Sequence, residues 1–254
     1  SPLAEMCFLK TQGNPFFLKQ FLQTLYDEGL FKFDTRQGSW AWDVQQIGNQ
    51  GMTDNVVELM AGKIKKLPEA TQEALKIAAS IGNTFDLKTL AIVKEQSPSA
   101  TTRDLWEALL SGLIVTKDDT YEVTWGSTLD TNVTYHFLHD RVQQAAYALI
   151  DEARLESLHL KIGRLLLQNT QHDALDEQLF NIVSQLNLGK SLINDPAERL
   201  RLAHLNLKAG KKAKASAAYD GAVCFLRHST ELLPENCWPQ HYDLTLDVFS
   251  TLAE

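Results

Sequence analysis

The amino-acid sequence predicts a mainly α-helical protein in which short β elements interrupt the helices. Three observations support this prediction. Apolar residues recur at helical spacing along most of the chain. Only 13 glycines and 7 prolines occur among 254 residues, fewer than a loop-rich β-sandwich needs for its turns. Short polar or glycine-containing links separate the apolar stripes, as expected between consecutive helices.

Composition and charge narrow the class of protein. Apolar residues make up 44% of the chain and charged residues 22%, which is globular rather than disordered. The formal net charge of -8 argues against a protein that coats nucleic acid. No apolar run is long enough for a membrane span, and three cysteines without metal-ligand spacing favour a reduced, cytoplasmic setting. The chain begins at Ser1 without a signal-peptide pattern, which predicts a piece of a longer protein.

The first predicted part covers residues 1–66. A helix is expected over residues 15–28, because Pro15 suits a first helical turn and Gly29 suits the position just past a helix end. Residues 30–42 alternate apolar and polar side chains around a turn-like stretch, which predicts a β-hairpin.

Two tryptophans of this hairpin are expected on one face of their strand. Trp40 and Trp42 are two positions apart, so their side chains point the same way. Packing on the neighbouring helix is the favoured interpretation, and a partner-binding patch is the alternative.

The second predicted part covers residues 67–150 and opens with helices. Thr53 is a candidate cap of a helix that still belongs to the first part. A second helix follows the break at Leu67-Pro68, and Asp86 and Ser99 are candidate caps of the two helices after it. The last of these helices is expected to stop at Gly112.

Extended segments then follow. Residues 113–115, 121–123 and 133–137 are predicted to be strands, and a helix is expected from residue 139 to about residue 150. Helices followed by a small β-wing are typical of a winged-helix domain.

The third predicted part, residues 151–254, has no strand pattern. Four apolar stripes begin near Leu155, Leu179, Leu200 and Tyr219. Short helices joined by brief links indicate stacked helical hairpins. The intervals between Gly210, Tyr219, Ala222 and Pro234 resemble those of a tetratricopeptide unit, although Leu226 and Ser229 depart from that pattern.

Three patterns suggest chemistry that the residues around them do not support. Gly189-Lys190-Ser191 matches the end of a P-loop, but residue 184 is serine rather than glycine, so a helix end followed by a link is predicted. His136 and His139 have no third ligand at suitable spacing, so no metal site is predicted. The lysines between 208 and 214 lack interleaved aromatic residues, which favours a solvated helix face over a nucleic-acid contact.

Two motifs carry a family resemblance. They are Thr11-Gln12-Gly13-Asn14-Pro15-Phe16-Phe17-Leu18 and Tyr135-His136-Phe137-Leu138-His139-Asp140-Arg141-Val142-Gln143-Gln144-Ala145-Ala146-Tyr147. Together they resemble the STAND class of AAA-related signalling ATPases. The nearest likeness is to its cyanobacterial-type branch, in which the ATPase is joined to serine/threonine kinase, GAF sensor and histidine kinase domains. Residues 55–60 and 67–87 resemble the same branch.

The resemblance implies a nucleotide-contact site. Pro15 would lie against the adenine, with Gly13 and Asn14 shaping the turn, and residues 1–66 would be the lid part of the ATPase domain. A proline ring offers a flat apolar surface, and its fixed φ holds the helix entry rigid. His139 would donate a hydrogen bond to the β-phosphate of ADP. Asp140 is expected to cap the next helix. On its own, Pro15 is also simply a good first-turn residue.

The function implied is regulatory. Without a P-loop this chain is not expected to hydrolyse ATP; an upstream P-loop domain in the same parent chain would hold the ATP or ADP and its Mg. The chain would close over that nucleotide and relay its state to attached kinase and sensor domains. Self-association or peptide binding through the repeats is also possible, with neither a membrane nor nucleic acid as partner.

Two alternatives stay open. The first is a helical-repeat scaffold that binds peptides or proteins without nucleotide switching. The second is a DNA-binding winged-helix regulator, which needs a basic recognition helix. Residues 99–111 offer only Arg103 against Asp104 and Glu107.

Overall fold

The computed structural model describes residues 2–49, 55–117, 133–171 and 174–253. Within these ranges the protein is mainly helical, with fourteen α-helices and five short strands, which confirms the predicted fold class. The helices are α1 (Pro2–Thr11), α2 (Pro15–Asp27), α3 (Val44–Asn49), α4 (Val56–Lys65), α5 (Glu69–Ile81), α6 (Leu87–Lys94), α7 (Pro98–Leu110), α8 (Asp140–Ala148), α9 (Glu152–Asn169), α10 (Leu175–Leu188), α11 (Pro196–Ala215), α12 (Tyr219–Leu232), α13 (Cys237–Gln240) and α14 (Tyr242–Ala253). The strands are β1 (Phe31–Asp34), β2 (Ser39–Trp42), β3 (Thr84–Asp86), β4 (Ile114–Thr116) and β5 (Thr134–Phe137).

Helix α2 and the hairpin after it confirm the local signals. Pro15 is the first residue of α2, and Gly29 follows the helix with a positive φ of 72° that a glycine adopts without strain. Strands β1 and β2 pair antiparallel, with Phe31 opposite Trp42. The ring of Trp40 stacks on Phe31 with centroids 4.6 Å apart, and both tryptophans stay partly exposed, at 47% and 41%. The hairpin therefore carries an aromatic cluster at the protein surface.

A three-stranded antiparallel sheet forms from strands far apart in sequence. Strand β5 lies in the centre between β3 and β4. Phe85 of β3 is opposite Tyr135, and Ile114 of β4 is opposite Phe137. The predicted strands at 113–115 and 133–137 are confirmed within a residue or so, whereas the one predicted at 121–123 lies outside the described residues. Strand β3 was not predicted.

The helix caps agree with the sequence at one position and differ at others. Asp86 caps α6, because its carboxylate accepts the backbone N–H of Thr89 at 2.6 Å. The prediction of Ser99 as a cap is wrong: Ser97 accepts the N–H of Ala100, since a proline at position 98 suits the first helical position and sets the cap one residue earlier. Helix α4 is capped by Asn55, whose side chain accepts from Val57 at 2.9 Å. Thr53, the predicted cap, lies outside the described residues.

Two main hydrophobic cores organise the described chain. The first joins α1–α8 and the three-stranded sheet, and its fully buried side chains include Phe21, Met60 and Phe137. The second joins α9–α12 with α14 and includes Val93 of α6. Helices α6 and α9 also pack directly together, so the second core reaches into the first half of the molecule. The predicted domain boundaries at 66/67 and 150/151 stay predictions.

Glycines bring the helices of the C-terminal half into close contact. An added Cβ on Gly163 of α9 would lie 2.7 Å from Cγ of Leu186 in α10. An added Cβ on Gly210 of α11 would lie 2.7 Å from Cγ of Leu226 in α12. No side chain fits at either glycine without a shift of its neighbours, so Leu186 of α10 lies directly against the α9 backbone and Leu226 of α12 against the α11 backbone.

Candidate functional site

The turn between α1 and α2 carries three of the predicted site residues. Gln12 and Gly13 both have positive φ, of 49° and 77°, and together they reverse the chain direction. Asn14 then caps α2 by accepting the N–H of Phe17 at 2.9 Å. Pro15 begins the helix with its side chain exposed. The sequence Gly13-Asn14-Pro15 therefore builds a sharp turn that presents the proline ring to solvent.

His139 lies at the start of α8 and caps it. Its Nδ1 accepts the backbone N–H of Arg141 at 3.1 Å. An accepting Nδ1 bears a lone pair, so the ring proton is on Nε2, which is left as a hydrogen-bond donor. The prediction that Asp140 caps this helix is wrong, because the His139 ring already reaches the first-turn N–H. Asp140 is instead the first residue of the helix, where a carboxylate is still stabilised by the helix dipole.

The two motifs meet through an aromatic contact. The ring of Phe16 stacks on the ring of His139, with centroids 4.2 Å apart and planes 17° from parallel. Phe16 follows Pro15 directly, so this contact places the Gly13-Asn14-Pro15 turn next to the start of α8. Sequence reasoning missed Phe16 as a site residue, because the contact joins residues 123 positions apart and only the folded structure brings them together.

An open cleft of about 630 Å³ lies beside this contact. Its lining includes Gly13 and Asn14 from the turn, Asn55 from the start of α4, and the cationic Lys10 and Arg141. The N-terminal ends of α2 and α4 border it as well, where Phe17 and Val57 donate their backbone N–H groups to the capping Asn14 and Asn55. Pro15 and His139 do not line the cleft, although each is within two residues of a group that does. The arrangement suits an anion.

The Gly189-Lys190-Ser191 segment is a helix end, as predicted. Gly189 closes α10, and a Cβ there would lie 2.6 Å from the backbone oxygen of Glu156, so helix packing explains the glycine. The ammonium of Lys190 donates to Nδ1 of His228 at 2.7 Å and also pairs with Glu231. This lysine is therefore engaged within the protein.

The lysines near the end of α11 face acidic groups. Lys208 pairs with Asp176 at 2.5 Å, and Lys211 pairs with Asp247 at 2.6 Å. The ammonium of Lys212 lies 5.4 Å from the ring centre of Phe180. These contacts link α11 to α10 and α14 at the surface, in keeping with the predicted solvated helix face.

Two features are absent from the described ranges. No three histidine, cysteine or acidic side chains come together there in a way that could hold a metal ion. No helix among those residues combines the length and apolar character needed to cross a bilayer.

Comparison with known proteins gives one informative likeness. The chain is 33% identical to a segment of the hybrid signal transduction histidine kinase G of Dictyostelium discoideum. The alignment takes in 97% of this chain but only 9% of that protein, so the chain spans less than a tenth of its length. No protein-family description matches the chain, and no solved structure does. The chain is thus similar to a small part of a signal-transduction histidine kinase.

Proposed function

We propose that this chain is the regulatory segment of a STAND-type signal-transduction ATPase. In this proposal it closes over ADP or ATP held by a P-loop domain elsewhere in the same polypeptide. It then relays the nucleotide state to attached kinase domains. The likeness to a segment of a signal-transduction histidine kinase supports the signalling context. The observation that carries the nucleotide role is the stacking of Phe16 on His139.

That contact supports the proposal because it unites the residues that the motifs single out. The turn at Gly13-Asn14 and the histidine at the start of α8 are far apart in sequence, and a shared ligand is one reason for both to lie at one edge. With its proton on Nε2, His139 can donate to a phosphate oxygen while its Nδ1 stays bonded to the α8 backbone. Phe16 holds the ring in that orientation.

The residues of the cleft fit the phosphate groups of a nucleoside diphosphate or triphosphate. Lys10 and Arg141 supply positive charge, and the positive dipole ends of α2 and α4 border the same cleft. The volume of about 630 Å³ is within the range of about 300–1,000 Å³ usual for small-molecule sites. Pro15 offers an exposed apolar face beside the cleft for an adenine ring.

In the closed state, the His139 hydrogen bond would tie α8 to the phosphate. The bound nucleotide supplies the negative charge that this arrangement needs. When the His139 bond is lost, α8 is free to move with the sheet strand before it, and the movement is passed to the helices that follow.

The test is nucleotide retention by the intact protein that contains this chain. The protein is purified without added nucleotide, denatured, and its released ADP is measured by chromatography. We expect His139→Ala to retain at least about tenfold less ADP, since a hydrogen bond to a charged group contributes about 1.5–3 kcal/mol. His204→Ala, at an exposed histidine of α11, is the matched control and should retain ADP like the wild type. Equal retention by His139→Ala and the control would remove His139 from the proposed site.

A second candidate function is a protein-binding helical scaffold. The observation that favours it is an exposed aromatic cluster near the chain end, where Trp238 lies 5.7 Å from Phe249 and 6.0 Å from Tyr242 between ring centres. Sedimentation velocity over a range of concentrations tests self-association through this cluster. We expect wild type to associate and Phe249→Asp to stay monomeric. A wild type that is monomeric throughout would exclude self-association.

A further inference from the structure

A buried chain of hydrogen bonds crosses from α8 to α10 through a histidine of α9. The hydroxyl of Tyr147 lies 2.9 Å from Nε2 of His159, and Nδ1 of His159 lies 2.7 Å from Oε1 of Gln185. The side-chain nitrogen of Gln185 donates to the backbone oxygen of Ser80 at 2.8 Å. His159 and Gln185 are only 4% and 5% exposed, so the two bonds of Gln185 are shielded from water, whereas Tyr147 is half-buried.

With a neutral imidazole at His159, the donors and acceptors in this network have one consistent arrangement. The amide oxygen of Gln185 can only accept, so Nδ1 of His159 carries the proton and donates to it. Nε2 then has a lone pair and accepts the hydroxyl proton of Tyr147. Every bond therefore runs in the same direction, from α8 through α9 and α10 to the end of α5. Losing any member leaves a neighbouring buried polar atom without a partner, which is costly in an apolar interior.

The hydrogen-bond network ends at the last turn of α5, where the carbonyl groups need hydrogen-bond donors from outside the helix. The last four carbonyl groups of an α-helix receive no hydrogen bond from an N–H group of the same helix. Gln185 of α10 donates to the carbonyl of Ser80, and Gln143 of α8 donates to the carbonyl of Ala79 at 3.0 Å. Two adjacent carbonyl groups at the end of α5 therefore accept hydrogen bonds from two different helices, α8 and α10. These bonds hold α5, α8 and α10 in a fixed relation.

Helix α8 connects this network to the candidate site. His139 caps its first turn, and Tyr147 lies in its last turn. A helix of nine residues with continuous backbone hydrogen bonds moves as a rigid rod over so short a length, so a displacement at His139 also displaces Tyr147. The residue that receives this displacement is His159.

We infer that His159 is a positioning residue that couples α8 to α9 and α10. A displacement of one of these helices, or of α5, is then passed to the others. The coupling itself needs no nucleotide and follows from the contacts around His159 and Gln185. Its use in signalling rests on the proposed function. A movement of α8 would then reorient α9 and α10 rather than being absorbed at the link between them.

Hydrogen exchange of the whole chain without nucleotide tests the coupling. Gln185→Met keeps the size of the side chain but removes both of its hydrogen bonds. We expect it to speed exchange of the α8 amides about tenfold, although the substitution lies in α10. Tyr147→Phe removes one hydroxyl and should speed exchange in α9 and α10. Gln178→Met, the same change at an exposed glutamine of α10, is the matched control and should alter neither.

The inference is overturned if each substitution changes hydrogen exchange only in the helix that carries it. If Gln185→Met and Tyr147→Phe each speed exchange only in the helix that carries them, His159 fills space without coupling the helices. Tyr147→Phe is the milder variant and keeps the test decisive if Gln185→Met does not fold. Because no nucleotide is present, this result is separate from ADP retention by the His139 variant.

Discussion

Replacing Gly163 by alanine is expected to destabilise the protein, although alanine is the better helix former. In an open helix interior, glycine to alanine stabilises by about 1 kcal/mol. At Gly163 the new Cβ would lie 2.7 Å from Cγ and Cδ2 of Leu186 and 3.0 Å from the backbone nitrogen of that residue. Because a backbone atom is involved, a rotamer change of Leu186 cannot relieve the overlap.

The expected magnitude follows from these opposing effects. Overfilling a packed interior costs about 1–3 kcal/mol, and contact with the α10 backbone favours the upper end of that range. After the gain in helix propensity, the net loss is about 2 kcal/mol. With an unfolding slope of about 3 kcal/mol per M, the urea midpoint should fall by roughly 0.7 M.

Urea unfolding followed by far-UV circular dichroism measures this loss. The matched control is Gly62→Ala in α4, where an added Cβ meets nothing within 4 Å. It should be stabilised by about 1 kcal/mol. If Gly163→Ala proves as stable as the wild type while Gly62→Ala gains stability, the close approach of α9 and α10 does not exist in solution.

Other predictions follow from caps, charges and burial. Ser97→Ala should lower the unfolding free energy by about 1 kcal/mol, whereas Ser99→Ala should leave it nearly unchanged; urea midpoints compare the two. The hydrogen bond from Lys190 holds the pKa of the Glu231 carboxyl below its ordinary value. Its stabilisation is therefore present above the ordinary pKa and lost as the pH falls through the lowered one. Wild type should have a slightly higher urea midpoint than Glu231→Gln at neutral pH, the two should converge in acid, and a gap that persists in acid would contradict this sign. Burial raises the pKa of the Cys7 thiol, so a thiol reagent should modify the exposed cysteine of α12 first and Cys7 only slowly until the protein is denatured.

Local signals predicted the elements that depend on neighbouring residues. Pro15 and Gly29 set the ends of α2, and Asp86 marked the start of α6, because these residues act on the backbone beside them. Strand β3 gave no such signal. It has only three residues and is held by pairing with β5, about fifty positions later in the sequence. Ser99 is not the cap because the proline at 98 takes the first helical position, which places the cap at Ser97.

The candidate site was predictable only as separate motifs. The turn at Gly13-Asn14 and the helix start at His139 can each be read from short stretches of sequence. Their meeting through the stacking of Phe16 on His139 depends on the tertiary fold, which no local pattern reveals. His159 was missed for the same reason. It lies within an ordinary apolar stripe of α9, and only its buried partners distinguish it.

The bond between Gln185 and Ser80 bears on how this polypeptide can be divided for expression. It joins positions 105 apart. A fragment that stops near residue 150 would lack the Gln185 amide that donates to the last turn of α5. It would also expose Val93 and the surface of α6 that packs against α9. Because apolar surface would be exposed to water, such a fragment should tend to aggregate. Shortened versions intended for crystallisation should therefore keep α5 to α10 together.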